Sequence, residues 1–265
     1  MYLCCQAFII SDMEHYKLSV ITPVYNSIQF IEKCIRNVIS QDCPFVEHII
    51  MDAGSTDGTL DVIKKYAQLH SHIKFVSERD SGQSEAMNKG MKLASAEVIS
   101  FLNADDGYFD FTLKRVLNLF DNNSSLNFIT GNLKVYDLKG ELIYLNRPQR
   151  IKAYHLFSYT ETFPINPAAY FYKKSIHERV GDYTVENHNN MDYEFILKAS
   201  LCSNLVYFNE DWGYAIHHEN AKTVRDMEDS IMFDLKLKTF KKIYSTVPLK
   251  VKAMATLYKV YKKIR

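Results

Sequence analysis

The chain has 265 residues, of which 47% are hydrophobic, 13% aromatic and 24% charged, which excludes disorder, fibrous repeats and a small disulfide-stapled scaffold. Its formal net charge of +1 hides an asymmetry: residues 231–265 hold ten Lys/Arg and one acid, Asp234, which leaves residues 1–230 at a net −8. An acidic body argues against nucleic acid as a partner, and the basic tail points to an anionic membrane surface. No apolar run approaches the roughly 20 residues that span a bilayer, and MYLCCQAFII has no positive region ahead of its apolar stretch. The expectation is a cytoplasmic protein, soluble or peripheral at the inner face of the plasma membrane. Five cysteines (Cys4, Cys5, Cys34, Cys43, Cys202) form no CxxC pair and no zinc spacing and read as reduced thiols.

Short β-branched runs alternate with helical patterns through the first half. The periodicity predicts strands over 18–25, 46–51, 73–76 and 98–102, and helices over 28–41, 59–68 and 84–93, the first with Ile31, Ile35, Val38 and Ile39 on one face. Such alternation reads as an α/β, Rossmann-like fold with a mostly parallel central sheet flanked by helices. After Asp110 the order loosens into a hairpin over 127–136 and 141–145, strand-like segments at 168–172 and 205–208, and a helix over 192–201 between them. Beyond Thr223 the pattern is helical, broken at Pro248. The expected organisation is one domain over 1–223 followed by a basic helical extension over 224–265.

In open α/β sheets ligands bind at the carboxyl ends of the strands. Those ends read Pro23-Val24-Tyr25-Asn26, Asp52-Ala53-Gly54-Ser55-Thr56-Asp57-Gly58-Thr59, Glu78-Arg79-Asp80-Ser81-Gly82 and Asn103-Ala104-Asp105-Asp106-Gly107, so acids cluster at three of the four. Taken singly, the second is also a turn and helix cap, and Asp105-Asp106 also a solvated turn. Adjacent carboxylates repel unless a cation or hydrogen-bond donors compensate them, and a divalent ion that also carries substrate phosphates meets that demand. The pair therefore points to Mg²⁺ or Mn²⁺.

The ordered set VITPVYN, MDAGSTDGT, SERDSGQSEAMNKG and FLNADD resembles the amino-terminal half of inverting nucleotide-sugar glycosyltransferases of the A-type fold (family 2), which build bacterial polysaccharides, lipopolysaccharide and capsule. The resemblance is specific over 17–110, the expected nucleotide-sugar half, and weaker over 111–223, the expected acceptor half. It implies that Pro23 and Tyr25 flank the nucleobase and that Asp52 contacts it. Many members carry two consecutive acids where this chain has Asp52-Ala53. Glu85 and Asn88 fall in the segment that lines the sugar-nucleotide cleft. Asp106 takes the place of the metal-binding Asp, and Asp105 that of the preceding residue, which contacts the ribose or the ion's water shell. Departure of a nucleoside diphosphate develops negative charge on the β-phosphate, which a divalent cation stabilises.

Asn190-Met191-Asp192-Tyr193-Glu194 resembles the acid-rich catalytic segment, with Asp192 as general base and Glu194 as its competitor. Inversion requires one carboxylate near the acceptor hydroxyl and no carboxylate nucleophile. His217-His218-Glu219-Asn220-Ala221-Lys222-Thr223 is similar to a late His-x-x-Ser-Lys-Thr element, which aligns His218 with the metal or diphosphate and Lys222 with the diphosphate. The implied function is transfer from a nucleotide-activated sugar, UDP-linked first, to a glycan or lipid-linked acceptor; the alternative is a non-catalytic nucleotide-sugar or glycan-binding module on the same scaffold. Acceptor preference is expected in 132–167, where Tyr136, Tyr144, Arg147, Arg150, Tyr154 and Tyr159 read either as a sugar platform or as core. The tail over 248–265 reads as a helix with Val251, Met254, Tyr258 and Tyr261 on one side and Lys252, Lys259 and Lys263 on another, either docked on an anionic membrane or packed on the domain.

Overall fold

A computed structural model describes residues 16–186, 190–219, 221 and 229–264. In chain order the elements are β1 (Leu18–Val24), α1 (Ile31–Ser40), β2 (Val46–Asp52), α2 (Thr59–Leu69), β3 (Ile73–Ser77), α3 (Gln83–Leu93), β4 (Val98–Phe101), β5 (Gly107–Tyr108), α4 (Thr112–Asn122), β6 (Phe128–Asp137), β7 (Leu142–Asn146), α5 (Ala153–Phe157), a 3-10 turn (Pro167–Ala169), β8 (Tyr170–Lys173), α6 (Lys174–Val180), α7 (Met191–Cys202), β9 (Leu205–His217), α8 (Asp229–Thr246) and α9 (Leu249–Ile264).

One nine-stranded sheet runs β3-β2-β1-β4-β8-β6-β9-β5, with β7 on β6. The first four strands are parallel, with Leu18 facing Val46 on one side and Val98 on the other. Beyond β4 the sheet is mixed: β8 is antiparallel to both β4 and β6, β9 is parallel to β6, and β5 is antiparallel to β9. β1 and β2 are buried along their whole length, the pattern of parallel strands covered on both faces. Ile21, Ile49, Met51 and Phe101 pack on one face with Ala86 and Met87 of α3 and with Phe195 and Ile196 of α7. Leu18, Val20 and Val98 pack on the other with Cys34 and Val38 of α1 and with Leu113 and Leu117 of α4.

One sequence expectation needed correction. The strand expected over 205–208 runs to His217, because the polar stretch Asn209-Glu210-Asp211 stays in the sheet through register shifts opposite Asn132. Glu210 pairs with Arg115 at 2.8 Å and Asp211 with Lys134 at 2.7 Å, so these acids are satisfied at the sheet margin and do not form a turn. Of the two alternatives open for the helical extension, packing on the domain is seen: Ile243, Val247 and Ala255 are buried in the cluster that contains Ile21 and Met51. Arg150, Tyr154 and Tyr159 serve this packing, since Arg150 donates to Tyr258 at 2.6 Å, Tyr154 meets Tyr258, and Tyr159 meets Phe240 edge to face.

Candidate active site

The first two strand ends are stitched together by short polar side chains. The Asn26 amide N–H donates to Ser55 Oγ at 2.8 Å, and Asn26 Oδ1 accepts from the Thr56 N–H at 2.9 Å. Asp57 accepts from the Ile28 and Thr59 N–H groups, both at 3.0 Å, so this carboxylate joins the two loops and opens α2. Pro23 is buried in β1, opposite Met51, and Tyr25 stands 60% exposed at its end. Asp52 is only 2% exposed; its carboxylate accepts from the N–H groups of Gly54 and Ser55 and from Ser77 Oγ at 2.6 Å. It therefore holds the Gly54-Ser55 turn and ties β2 to the end of β3.

At the third strand end Lys89 reaches back from α3 to Glu78 at 2.8 Å and Glu85 at 2.9 Å. Glu85 accepts from the Ser81 N–H at 2.8 Å, and the Ser81 hydroxyl and Lys89 hold its carboxyl down at about 2. Asn88 faces inward: its Nδ2 donates to the Tyr183 carbonyl and its Oδ1 accepts from the Tyr183 N–H, each at 2.9 Å. This two-bond clamp fixes the segment that leads to α7. Asp80 accepts from the Gly82 N–H at 2.8 Å, and burial pushes its carboxyl up.

The fourth strand end holds the densest group. Asp106 is 6% exposed, and its Oδ2 accepts from Asn103 Nδ2 and Asn166 Nδ2, both at 2.7 Å. Gln83 Nε2 donates to Asn103 Oδ1 at 2.8 Å, which fixes the amide's direction. Asn166 is held in turn because its Oδ1 caps the 3-10 turn, accepting from the Ala168 N–H at 2.8 Å. Burial and the neighbouring Asp105 charge push the Asp106 carboxyl well above the usual carboxylate range, and the Asp192 charge adds to the effect. Gly107 follows because a Cβ there would overlap the Tyr214 ring. His218 is 8% exposed, stacks on Phe30 with ring centroids 4.5 Å apart, and sets Nε2 3.0 Å from Asp105 Oδ2.

Asp192 lies in the first turn of α7, and Tyr170 Oη donates to its Oδ1 at 2.7 Å. Tyr170 is fully buried, so β8 holds this hydroxyl rigidly beneath the carboxylate. Residues two apart do not share a helix face. Glu194 accordingly pairs with Lys198 at 2.7 Å and lines a cavity of about 300 Å³ with Arg179, Cys202 and Lys242.

The sheet thus gathers Asp105, Asp106, Asp192 and His218, while Asp52 and Asn88 make internal contacts and Lys222 lies outside the described residues. Asn103, Asn166 and Tyr170 were missed as site residues; the Asn-Pro dipeptide at 166–167 carried a turn signal, but nothing local to Tyr170 marked it. Among the described residues no three His, Cys, Asp or Glu side chains converge as a ready-made metal site. The donor set nevertheless suits a hard divalent ion. The buried Asp106 charge is met by neutral amides, two further carboxylates raise its proton affinity, and such ions are held by one or two carboxylates plus substrate phosphates.

Residues 19–180 match the family model for glycosyl transferase family 2. The chain is 36% identical over 115 residues to the putative teichuronic acid biosynthesis glycosyltransferase TuaG of Bacillus subtilis, covering 43% of this chain and 46% of TuaG. It spans less than half the length of the curated relatives it matches first. Staphylococcus aureus TarS 1–349 in complex with UDP-GlcNAc aligns with a TM-score of 0.62 at 18% identity, covering 90% of this chain and 78% of that one. The mannosyltransferase PcManGT from Pyrobaculum calidifontis, in complex with GDP-Man and Mn²⁺, aligns with a TM-score of 0.59 at 16% identity, covering 94% and 81%. These two likenesses establish the shared fold, and the family match covers more than half of the chain, from β1 to the end of α6: the chain belongs to glycosyl transferase family 2.

Proposed function

We propose that the chain is a metal-dependent, inverting glycosyltransferase that moves a hexosyl group from a nucleoside-diphosphate sugar, UDP-linked first, to a hydroxyl of a glycan or lipid-linked acceptor in bacterial surface polysaccharide synthesis. The observation that carries this reading is the grouping of the adjacent Asp105 and Asp106 with Asp192, distant in the sequence, the charges of Asp105 and Asp192 both acting on the buried Asp106 carboxyl. Residues 1–223 form the catalytic unit and 224–265 the basic extension.

Asp106 and His218 would hold Mn²⁺ or Mg²⁺, which when bound stabilises negative charge on the leaving diphosphate. Asn103 and Asn166 keep the Asp106 carboxylate in place, so that it need not reorient during the reaction. Pro23, Tyr25 and Asp52 lie toward the nucleobase, Glu85 and Asn88 shape the cleft wall, Asp105 contacts the ribose, and Lys222 meets the diphosphate. Asp192, oriented by Tyr170, takes the proton from the acceptor hydroxyl as its oxygen attacks the anomeric carbon opposite the leaving diphosphate. Glu194 is the weaker candidate for base because Lys198 already pairs with it. TuaG's name supports a polysaccharide product, and the UDP-GlcNAc and GDP-Man complexes of the two structures support a nucleotide-sugar donor. A lipid-linked acceptor brings the enzyme to the inner face of the plasma membrane, where the basic extension docks.

The test is nucleotide release from UDP-, GDP-, dTDP- and CMP-sugars with Mn²⁺, Mg²⁺ or EDTA, for wild type, Asp106→Asn and Asp192→Asn. Metal-dependent release lost in both variants, with donor binding kept in Asp192→Asn, is expected. Release that persists in Asp192→Asn removes Asp192 as the base, and release unchanged in EDTA removes the metal.

A further inference from the structure

The last helix, α9, is apolar on two faces with different surroundings. Ala255 is buried in the main core, Val251 packs against it, and Tyr258 donates to Glu161. Lys262 pairs with Glu161 at 2.9 Å. These contacts fasten the helix to the domain, so that of the side read from sequence Val251 and Tyr258 face inward, while Met254 and Tyr261 stay 38% and 49% exposed.

The opposite face carries Leu249, Ala253, Leu257, Val260 and Ile264, at spacings of four, four, three and four residues. On a helix of 3.6 residues per turn these form one stripe. Leu249 is 82% exposed, Leu257 71%, Val260 51% and Ile264 82%. Exposed Lys250 borders the stripe on one side, and exposed Lys259 and Lys263 border it on the other; the helix contains no Asp or Glu. A contiguous exposed apolar stripe marks an interaction site, and lysines along both margins are the arrangement of helices that lie in a lipid interface.

We propose that this outward stripe, and not the side carrying Val251 and Tyr258, inserts at the surface of an anionic membrane, with Lys250, Lys259 and Lys263 on acidic headgroups. This rests on the reading of the extension as membrane-docking and names the surface that docks. Charge complementarity selects the occupant: two copies meeting stripe to stripe would oppose their lysines with no acid on either helix, whereas acidic headgroups neutralise them. Because Ala255, Tyr258 and Lys262 tie α9 to the domain, docking brings the whole catalytic body to the membrane.

The test is co-sedimentation of the full chain with vesicles of phosphatidylcholine alone or with one-third phosphatidylglycerol. The variants are Leu257→Glu/Val260→Glu, Lys250→Ser/Lys259→Ser/Lys263→Ser and, as a charge-matched control on α4, Asn118→Glu/Asn122→Glu. Wild type and control are expected to bind anionic vesicles and not neutral ones. The stripe variant is expected to lose at least about tenfold in partition, and the lysine variant about a hundredfold, with the thermal midpoints of both unchanged because their altered residues are exposed. Wild-type binding by the stripe variant, equal binding to neutral vesicles, or concentration-dependent self-association that the stripe variant abolishes would each overturn the proposal. Vesicle-free nucleotide release is measured alongside: its loss in wild type counts against the catalytic reading alone, and its retention without vesicle binding counts against docking alone.

Discussion

Asp106→Asn is expected to make the metal-free protein more stable while abolishing turnover. The wild-type carboxyl is 6% exposed, meets only neutral amides on Oδ2, and is pushed up by burial, by Asp105 and by Asp192. An asparagine keeps an oxygen to accept from Asn103 and Asn166 and removes the buried charge, at the cost of a new amide N–H that needs a partner. Removing such functional strain stabilises by about 1 kcal/mol, a rise of about 2–4 °C in thermal midpoint for a domain of this size. The sign with pH follows from the raised carboxyl. Between its ordinary value and its raised value the folded chain binds the proton that the unfolded chain has released, so wild-type stability is full below the ordinary carboxylate range and falls as pH rises through the raised value. The advantage of Asn is therefore largest at neutral and alkaline pH and disappears near pH 4, and Mn²⁺ with nucleotide raises the midpoint of wild type alone. Thermal unfolding in EDTA from pH 4 to pH 8 measures this. A variant less stable than wild type at pH 7.5 would refute the reasoning, because it would mean that the carboxylate charge is already compensated in the fold.

Asn166→Ala removes one Asp106 donor and a turn cap, and is expected to lower nucleotide release about 10- to 100-fold, as loss of a partner that orients a metal ligand does; steady-state kinetics over a Mn²⁺ titration check this. Tyr170→Phe keeps the buried ring and deletes the donor to Asp192; the turnover number should fall about tenfold while donor binding by calorimetry stays unchanged. Gly107→Ala forces a methyl into the Tyr214 ring and shifts the loop carrying Asp106, costing about 1–3 kcal/mol in denaturant unfolding. His48, buried and 2.8 Å from Thr22 Oγ1, is held down at about 3 by burial, with His72 adding to the effect. Below an ordinary value of 6.5 the unfolded chain takes a proton that the folded one refuses, so stability declines from pH 6.5 toward 3, by a total on the order of 5 kcal/mol. His48→Gln should flatten that decline in urea unfolding followed across this range.

The parallel half of the sheet was legible because its periodicity is local: Leu18–Val24, Val46–Asp52 and Val98–Phe101 are apolar runs between helices with clear faces. The antiparallel half was less so. β9 carries Asn209-Glu210-Asp211 in its middle, and Arg115, Lys134 and Asn132 meet those side chains across the fold. The acids at the strand ends stood out in the sequence, but their partners did not, since Asn166 reaches Asp106 across 60 positions and Tyr170 reaches Asp192 across 22. Asp52 and Asn88 show the converse. Their place in a motif marks them for ligand contact, yet the polar atoms of each carry bonds inside the protein. In α9 periodicity finds apolar faces and does not say which one the domain covers; the contacts of Tyr258 and Ala255 decide that.

The central claim is that Asp106 and Asp192 act in different steps, one on the leaving diphosphate and the other on the acceptor hydroxyl. Transfer and donor hydrolysis measured in parallel for Asp192→Asn, with Mn²⁺ and the donor identified by nucleotide release, test it most directly. The account predicts donor affinity within about twofold of wild type and transfer reduced by about 10²–10⁴, the usual contribution of a positioned base. Transfer at the wild-type rate, or donor binding lost together with transfer, would contradict it.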